Sequence, residues 1–345
     1  MTGASLGHKL GTHQQLTAER ASPRFGERAV AVDNLVKTYA APGGERFNAV
    51  DGVAFEVRRG ELFGFLGPNG AGKTTTLEII EGIREPSSGT ATVLGLDSVR
   101  DREELKRRIG VQLQAAAYFS YLTLEEILDL FGSFYPRRLP AAELLDRVGL
   151  LDKRRSQVRH LSGGQARRFS VVAALVNDPE VVFLDEPTTG LDPAARRVVW
   201  DLIRRANRDE GKTVVLTTHY MEEAELLADR VAIIDHGRIQ AIDTPQSLIA
   251  RLDGVSKIRF ATDRSVTPAE LERLPGIEQA AETGASDIDG AGAWAYELRA
   301  PDQEQALFEL LGWARRGQVE LRALEAAPGT LEDVFLNLTG RALRD

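Results

Sequence analysis

Cysteine is absent from this sequence of 345 residues. Disulfide bonds and thiolate metal sites are therefore excluded, and the composition is typical of a protein from a reducing, intracellular compartment. Long hydrophobic runs are absent as well. The longest apolar stretches, such as residues 171–176, have the length of core segments, whereas a membrane-spanning helix needs roughly 20 apolar residues. We therefore expect any membrane role to require a separate partner chain.

An excess of basic charge is also missing. The formal net charge is −8 and the isoelectric point is near 5.4, whereas nucleic-acid binding favours a clustered basic surface. The same shortage disfavours direct binding to a membrane surface through a polybasic face. The apolar content of 43% is ample for a packed core, and the length predicts two globular units.

The first 27 residues mix Gly, Ser, His, Gln and charged residues without any periodicity. They lack the apolar segment of a secretory signal, and we predict a disordered N-terminal arm over residues 1–27. His8 and His13 have no cluster of other metal ligands around them. A solvated tail explains these two histidines better than a metal site does.

Residues 67–74, the phosphate loop, match the phosphate-binding pattern G-x-x-x-x-G-K-[ST] at every fixed position. An apolar stretch at 61–66 predicts a strand before the loop, and helical periodicity follows it, as this motif requires. Lys73 should reach the β- and γ-phosphates of a nucleotide, and the Thr74 hydroxyl should hold Mg²⁺. A glycine-rich turn with an exposed lysine is the alternative, which the flanking elements disfavour. The predicted nucleotide contacts of this segment are Gly67, Pro68, Asn69, Gly70, Ala71, Gly72, Lys73, Thr74 and Thr75.

Two more apolar segments end in residues suited to phosphoryl transfer. Residues 181–184 predict a buried strand followed by Asp185 and Glu186, and residues 213–218 predict another that is followed by His219. We expect Asp185 to hold the Mg²⁺ shell and Glu186 to polarise the attacking water as general base. A solvated strand end with two carboxylates is the alternative. A lone histidine is usually structural, but α/β proteins place ligands at the carboxyl ends of such strands.

The sequence Leu-Ser-Gly-Gly-Gln at 161–165, the signature segment, precedes a predicted helix at 166–175 and the strand at 181–184. Its hydroxyl, bare backbone and helix N-terminus favour anion binding. With the phosphate loop, the Asp-Glu pair, Gly190-Leu191-Asp192 and His219 in this order, residues 28–248 resemble the ATPase subunit of an ATP-binding-cassette (ABC) transporter. The resemblance implies an α/β fold, a P-loop NTPase cassette with a RecA-like core, an antiparallel β subdomain and a helical subdomain at about 115–175.

The same resemblance implies further roles, ATP and Mg²⁺ as cofactors, and a head-to-tail dimer that encloses two ATP molecules. His219 would contact the γ-phosphate and orient the water with Glu186, and Gln114 would sense Mg²⁺ and water, with Gln112 as the alternative. Each signature segment would close over the ATP of the other subunit. The residues implied at the shared nucleotide sites and their seam are Tyr39, which would stack on the base, and Ser162, Gly163, Gly164, Gln165 and Asp192. Because the chain has one set of motifs and no internal repeat, we expect a homodimer or a pair with a homologous subunit.

The start of the expected helical subdomain is rich in aromatic residues. Apolar residues at helical spacing over 124–131 and 141–148 predict two helices. Most of the aromatic side chains fit ordinary helix core. The alternative is a groove for a short helix of a membrane partner. The side chains in question are Tyr118, Phe119, Tyr121, Phe131, Phe134 and Tyr135.

The segments after residue 248 alternate as strand, helix, two strands, helix and strand, which predicts a small α+β domain of the ferredoxin-like order over residues 251–345. This part carries 17 Asp and Glu against 11 Lys and Arg, which disfavours nucleic-acid binding. The end of the chain, 329–340, resembles the accessory region of exporter ATPases of the daunorubicin-resistance type. Its apolar face at 331, 334, 335 and 338 should either cap its own domain or serve regulation or dimer stability.

We therefore predict an ATP-hydrolysing subunit that powers a separate membrane permease, peripherally bound at the cytoplasmic face of the cell membrane and exporting a drug-like or lipid-like compound. An ABC ATPase acting on nucleic acid or ribosomes is the alternative. The single motif set, the absence of cysteine zinc modules and the acidic tail disfavour it. A catalytically weak regulatory module is disfavoured because Lys73, Asp185, Glu186 and His219 are all present.

Overall fold

The computed structural model describes residues 27–41, 43–113, 118–251, 256–286, 293–327 and 329–340. The strands are β1 (Arg28–Ala40), β2 (Arg46–Arg58), β3 (Leu62–Leu66), β4 (Ser88–Val93), β5 (Leu96–Asp97), β6 (Ile109–Gln112), β7 (Val181–Asp185), β8 (Thr213–Thr218), β9 (Arg230–Asp235), β10 (Arg238–Asp243), β11 (Ser256–Thr262), β12 (Gln279–Ser286), β13 (Ala293–Ala300) and β14 (Leu321–Ala327). The α-helices are α1 (Lys73–Ile80), α2 (Arg102–Arg108), α3 (Leu124–Gly132), α4 (Ala141–Arg147), α5 (Gly163–Ala173), α6 (Pro193–Arg204), α7 (Met221–Leu227), α8 (Pro245–Ala250), α9 (Pro268–Leu271), α10 (Gln303–Gly317) and α11 (Leu331–Thr339).

Shorter helical turns complete the backbone at Leu151–Lys153, Val158–His160 and, as a π-helical turn, Arg205–Asp209. The longest helix of the described segments is α10, with 15 residues. No helix in these segments combines the length and apolarity that crossing a bilayer demands. The arm predicted for residues 1–27 lies outside the described residues, apart from Glu27.

The central sheet has six strands in the order β10-β9-β3-β8-β7-β6, and all neighbours are parallel except the β10–β9 pair. Its inner strands are apolar along their whole length because both faces are covered. In β7, Val182 and Leu184 join one core cluster, and Val181 and Phe183 join the other. This two-sided burial explains why the strands were recognisable from short continuous apolar runs.

One face of the central sheet packs against a four-stranded antiparallel sheet in the order β2-β1-β4-β5. Phe55 of β2 packs against Phe63 and Phe65 of β3, with ring centroids 5.3 and 5.0 Å apart. The separate strand pieces expected at 47–50 and 53–57 form a single strand, β2. Gly52, with φ of +72°, is accommodated by a bulge in the pairing with β1, so the ladder continues past it.

The other face carries α3, α4, α5 and α6, and their apolar residues belong to one core cluster with β7 and β8. The helices predicted at 124–131 and 141–148 are confirmed as α3 and α4. Helix α3 begins with a capping box, in which the Thr123 hydroxyl accepts from the Glu126 amide and the Glu126 carboxylate accepts from the Thr123 amide.

The third sheet is antiparallel, in the order β12-β13-β11-β14. With α9 after β11 and α10 after β13, it has the ferredoxin-like β-α-β-β-α-β order, as predicted. The sequence pattern predicts a helix over 268–274 and a strand over 277–281 here, and both bounds were wrong. The helix, α9, ends at Leu271 and gives way to turns before Pro275, which has no amide hydrogen to continue it. The strand, β12, begins at Gln279 and ends at Ser286.

Helix α11 does not complete the core of this third sheet. Its Leu331, Val334 and Phe335 are buried in a cluster with β3, β9, α7 and α8. The Leu331 amide donates to the Glu225 carboxylate of α7 at 2.7 Å, and Asp333 forms an ion pair with Lys257 of β11. Helix α11 thus packs against β3 and β9 of the central sheet, while Asp333 ties it to the third sheet.

Candidate functional site

Three neighbouring parallel strands of the central sheet, in the order β3-β8-β7, end at the same edge. The phosphate loop follows β3, His219 follows β8, and Glu186 follows β7. The carboxyl ends of parallel strands are where α/β folds place their ligands. Segments that are more than 100 residues apart in the sequence therefore meet in one site.

The phosphate loop is held in a conformation that requires glycine. Gly72 precedes α1 with φ of +101°, and a Cβ atom there would lie 2.3 Å from the Ala49 carbonyl oxygen. A Cβ atom on Gly67 would lie 2.3 Å from the Ile234 carbonyl oxygen. The loop borders a cavity of about 410 Å³, whose other lining residues include Tyr39, Phe47 and Glu186. The phosphate loop, the aromatic rings of Tyr39 and Phe47, and the Glu186 carboxylate therefore surround the same cavity.

Lys73 is the first residue of α1, and its side chain lies under the loop, with 4% exposed. Its ammonium group donates to the carbonyl oxygens of Gly67 and Pro68 at 2.7 and 3.1 Å and lies 3.4 Å from the Glu186 carboxylate. Burial lowers the pKa of Lys73, opposed by the attraction of Glu186. The ammonium is thus held beside the cavity by two carbonyl contacts that phosphate oxygens could replace.

Asp185 ends β7 and accepts hydrogen bonds from the hydroxyls of Thr74, at 2.9 Å, and Thr217. Burial raises the pKa of Asp185. The described residues contain no group of three or more His, Cys, Asp or Glu that could hold a metal ion. One carboxylate beside one hydroxyl nevertheless fits Mg²⁺, which is commonly held by one or two carboxylates together with substrate phosphates and water.

Glu186 lies in the left-handed backbone region, with φ of +49°, which is uncommon for a residue other than glycine. Its carboxylate is 3.4 Å from both the Lys73 ammonium and the His219 imidazole, and it accepts a bond from the Thr189 hydroxyl at 3.3 Å. The nearby His219 imidazole, together with the Lys73 ammonium, lowers the pKa of Glu186 to about 2. Its side chain is therefore an ionised acceptor at neutral pH.

Arg167 of α5 is a site residue that sequence reasoning missed. Its guanidinium donates to three successive carbonyl oxygens at the end of β7: those of Asp185 at 3.0 Å, Glu186, and Pro187 at 3.2 Å. These bonds hold the backbone on both sides of Glu186, whose left-handed conformation is intrinsically unfavourable. No sequence pattern identifies this contact, because Arg167 is one of two adjacent arginines on a helix.

Replacing Arg167 with methionine should lower the turnover of ATP by roughly 10- to 100-fold, because Glu186 would lose its fixed position. The KM for ATP should stay close to that of the parent chain. Arg167→Lys should restore only part of the rate, since an ammonium group cannot reproduce the planar set of donors. Steady-state ATPase kinetics check this result.

The matched control for this prediction is Arg168→Met. Arg168 lies on the same helix but donates to the Val148 carbonyl oxygen at 2.5 Å, away from the strand ends. It should keep nearly the parental turnover. Equal losses of turnover in both variants would instead mean that the two arginines matter for the packing of α5 and that the contact with the Glu186 backbone has no specific role.

Thr217 and Phe47 are the other site residues not predicted. The Thr217 hydroxyl donates to the Asp185 carboxylate and accepts a hydrogen bond from the Glu186 amide at 2.9 Å. Its position two residues before His219 on a strand was an available signal. Phe47 is opposite Tyr39 in the β1–β2 ladder, with ring centroids 5.9 Å apart. Tyr39 lines the cavity of the phosphate loop, and its stacking on a base stays a prediction.

The signature segment begins α5 but is not part of that cavity, among whose described lining residues none of 162–165 occurs. Ser162 caps the helix together with Gln165, and Gly163 has open space where a Cβ atom would lie. Asp192 caps α6 by accepting from the amides of Ala194 and Ala195. A single chain therefore does not bring the signature segment and the phosphate loop together.

Gln114 falls outside the described residues, so its predicted role stays a prediction. Gln112, the alternative, is described at the end of β6, where its amide group donates to the Leu113 carbonyl oxygen at 2.6 Å. It is 2% exposed. Strand β6 neighbours β7, and Gln112 pairs with Leu184, so Gln112 lies at the same end of the sheet as Asp185.

A second cavity, of about 510 Å³, lies between the end of α1, the end of β6 and the helices α3 and α5, and we call it the apolar groove. Of the six aromatic side chains considered above, Tyr118, Phe131 and Tyr135 pack partly against the core, whereas Phe119, Tyr121 and Phe134 are 62%, 74% and 71% exposed. The aromatic residues thus divide between core and surface. The aromatic residues that line the apolar groove are Tyr118, Phe131, Phe134 and Tyr135.

Comparisons with known proteins agree on one family. Residues 50–189 match the family described as ABC transporter. The daunorubicin/doxorubicin resistance ATP-binding protein DrrA of Streptomyces peucetius is 40% identical over 92% of this chain and 94% of its own length. The linearmycin resistance ATP-binding protein LnrL of Bacillus subtilis is 35% identical, over 91% and 99%. The Nod factor export ATP-binding protein I of Ralstonia nicotianae is 38% identical, over 94% and 98%.

Solved structures give the same answer for the fold. A dimeric ATP-binding cassette, MJ0796, in a post-hydrolysis state bound to ADP and Pi, is 29% identical with a TM-score of 0.58 over 62% of this chain and 98% of its own. The ATP-binding subunit of an ABC transporter is 30% identical, also with a TM-score of 0.58, over 65% and 93%. The predicted fold class is therefore confirmed.

Proposed function

The chain belongs to the ABC transporter family as an ATP-binding subunit and ATPase, and on that premise we propose that two copies close head to tail around two ATP molecules and drive a separate membrane permease. The observation that carries the proposal is the position of the Glu186 carboxylate. It lies between Lys73 and His219, with Asp185 and Thr74 beside it.

Each of these side chains has a role that its environment supports. The Lys73 ammonium would exchange the Gly67 and Pro68 carbonyl oxygens for phosphate oxygens. Glu186, kept ionised by its neighbours, would accept a proton from the attacking water, and His219 would orient that water and contact the γ-phosphate. Bound Mg²⁺ would neutralise phosphate charge.

Thr74 and Asp185 are the residues that would hold the metal ion, with Gln114 as the further predicted ligand. Their hydrogen bond brings a hydroxyl and a carboxylate oxygen within 2.9 Å. Tyr39 would stack on the base, beside Phe47. The remaining contacts to the nucleotide are those predicted for residues 67–75.

The proposed dimer would complete the nucleotide site. The N-terminus of α5 with Ser162, Gly163, Gly164 and Gln165 would bind the phosphates of the ATP held by the other copy, and Asp192 would lie at the seam. The dimeric state of the related cassette MJ0796 supports this arrangement. Closure on ATP binding and opening after hydrolysis would supply the mechanical step.

The apolar groove is the proposed docking site for a short helix of the permease. Phe134, Ile83 and Leu113 line it and are 71%, 51% and 40% exposed, which is typical of an interaction surface. Docking there would hold the chain at the cytoplasmic face of the membrane. Because relatives are named for daunorubicin/doxorubicin resistance, linearmycin resistance and Nod factor export, we propose export of a drug-like or lipid-like compound.

We also propose the division of the chain into a nucleotide-binding domain at 28–248, with its helical subdomain at about 115–175, and an accessory or regulatory domain at 251–345. The contacts of α11 with α7 and α8 support a mechanical link between the two. An action on nucleic acid or ribosomes is disfavoured by the net charge of −8.

The function can be tested by a pull-down from solubilised native membranes with the Glu186→Gln variant and ATP. We expect mass spectrometry to find a multi-span membrane protein that is enriched over the sample without ATP. A Lys73→Ala variant, which should bind ATP more weakly, is the matched control at an ATP concentration that saturates only the Glu186→Gln variant. Enrichment of ribosomal or DNA-bound proteins instead would contradict the transport function while leaving the ATPase in place.

A further inference from the structure

Two polar side chains on the wall of the apolar groove are buried with one oxygen atom each left unpaired. Glu81, at the end of α1, is 3% exposed, and Gln112, at the end of β6, is 2% exposed. Within the described part of the chain, neither the Glu81 Oε2 atom nor the Gln112 Oε1 atom has a hydrogen-bond partner. Buried polar atoms are nearly always paired, so both call for an explanation.

Both unpaired atoms are acceptors. The Gln112 amide nitrogen donates to the Leu113 carbonyl oxygen at 2.6 Å, which fixes the orientation of the amide group and leaves its oxygen as the unpaired atom. The Glu81 carboxyl lies near two other acidic groups, Asp185 and Glu78. The groove wall therefore presents two buried oxygen atoms that can accept hydrogen bonds from a partner.

The cations nearby are engaged elsewhere. Arg84 donates to Glu78 at 2.6 Å. Lys106, which also lines the groove, is 53% exposed and pairs with Glu103 at 2.8 Å. Neither cation compensates Glu81.

Two neutral donors of the groove wall, Ser170 and Asn177, are engaged as well. The Ser170 hydroxyl donates to the Arg167 carbonyl oxygen at 2.8 Å, and the Asn177 amide donates to the Ile109 carbonyl oxygen at 2.9 Å. Burial and the charges of Asp185 and Glu78 raise the pKa of Glu81 to about 8. The carboxyl group is therefore largely protonated at neutral pH in the isolated chain, and a cation brought by a partner would stabilise its ionised form.

We infer that the permease helix which occupies the apolar groove presents an arginine whose guanidinium donates to Glu81 and Gln112. This inference rests on the proposed function. An arginine fits better than a lysine because its planar group offers five donors, enough for two separate acceptors. Its aliphatic stem can cross the apolar lining, and the apolar face of the same helix would cover the exposed aromatic side chains. Glu81 would thus select the partner by charge.

Three substitutions of Glu81 test the inference on the full chain. Glu81→Gln and Glu81→Met should reduce capture of the co-purifying permease by about tenfold or more, because a buried charge pair would lose one member. The melting temperature of the isolated chain should stay equal or rise, since an uncompensated buried carboxyl is removed. A structural role of Glu81 would lower it instead. Nucleotide affinity should not change.

Glu81→Arg provides the more specific test. It should abolish capture of the permease, and one arginine-to-glutamate change in a cytoplasmic loop of the captured permease should restore it. Glu103→Arg, a charge reversal at an 84% exposed position on the rim, is the matched control and should leave capture intact.

The outcomes separate the inference from the proposed function. If the parent chain captures a permease and both Glu81→Gln and Glu81→Met capture it equally well, the arginine contact is wrong although the transporter function stands. If no variant, including the parent chain, captures any membrane protein, the proposed function fails and the inference fails with it.

Discussion

Replacing Glu186 with glutamine should abolish ATP turnover, by about 100-fold or more, while ATP binding persists. An amide cannot accept the proton of the attacking water, whereas it can occupy nearly the same volume. The substitution also removes the carboxylate that lies 3.4 Å from Lys73, which leaves the ammonium freer to bind phosphates. The ATP-bound dimer should therefore accumulate, and size-exclusion chromatography with ATP and Mg²⁺ should detect it.

The matched control is Glu180→Gln. Glu180 directly precedes the same strand, β7, at the opposite end from Glu186, and it pairs with Arg59 and Arg108 on the surface. That variant should hydrolyse ATP at nearly the parental rate. Normal turnover in Glu186→Gln would remove Glu186 from its assigned role. If Glu186→Gln loses turnover but forms no dimer with ATP, Glu186 keeps its role as general base, and the proposed head-to-tail closure is contradicted.

Replacing Lys73 with alanine should raise the Kd for ATP by roughly 10- to 100-fold, since a charge-assisted hydrogen bond contributes about 1.5–3 kcal/mol. The substitution should weaken ATP binding and should leave the general base, Glu186, ionised. Without Lys73, the pKa of Glu186 should rise from about 2 towards 4.5, which still leaves the carboxylate ionised at neutral pH. Titration with a fluorescent ATP analogue measures the affinity directly.

The matched control for the affinity is Lys106→Ala. Lys106 lies on α2, pairs with Glu103 at 2.8 Å, and is not among the described lining residues of the phosphate-loop cavity. Its removal should leave ATP affinity within about twofold, because an exposed contact contributes little. Parental affinity in Lys73→Ala would show that the loop amides alone bind the nucleotide, and the proposed role of the ammonium would be withdrawn.

Local patterns were sufficient for the elements and for most of the site. The phosphate loop, the Asp185-Glu186 pair and the capping of α5 by Ser162 are each contained in a few consecutive residues, so backbone preference and burial specify them directly. The β-α-β-β-α-β order of the last sheet was also readable, because strand and helix periodicities differ. The predicted end of its first helix, α9, was less accurate, because the helix ends at Leu271, ahead of Pro275.

The contacts that make a site out of these pieces depended on the tertiary structure. Periodicity states which face of a strand is buried but not which strand lies next to it, so the meeting of Lys73, Glu186 and His219 required the order β3-β8-β7. The same holds for the bonds of Arg167 around Glu186, for the packing of α11 on the central sheet, and for the unpaired acceptors of the apolar groove. The sequence by itself determined which chemical groups are present and in which local conformation, and only the fold decided their neighbours, because contacts between distant segments follow from topology rather than from local propensity.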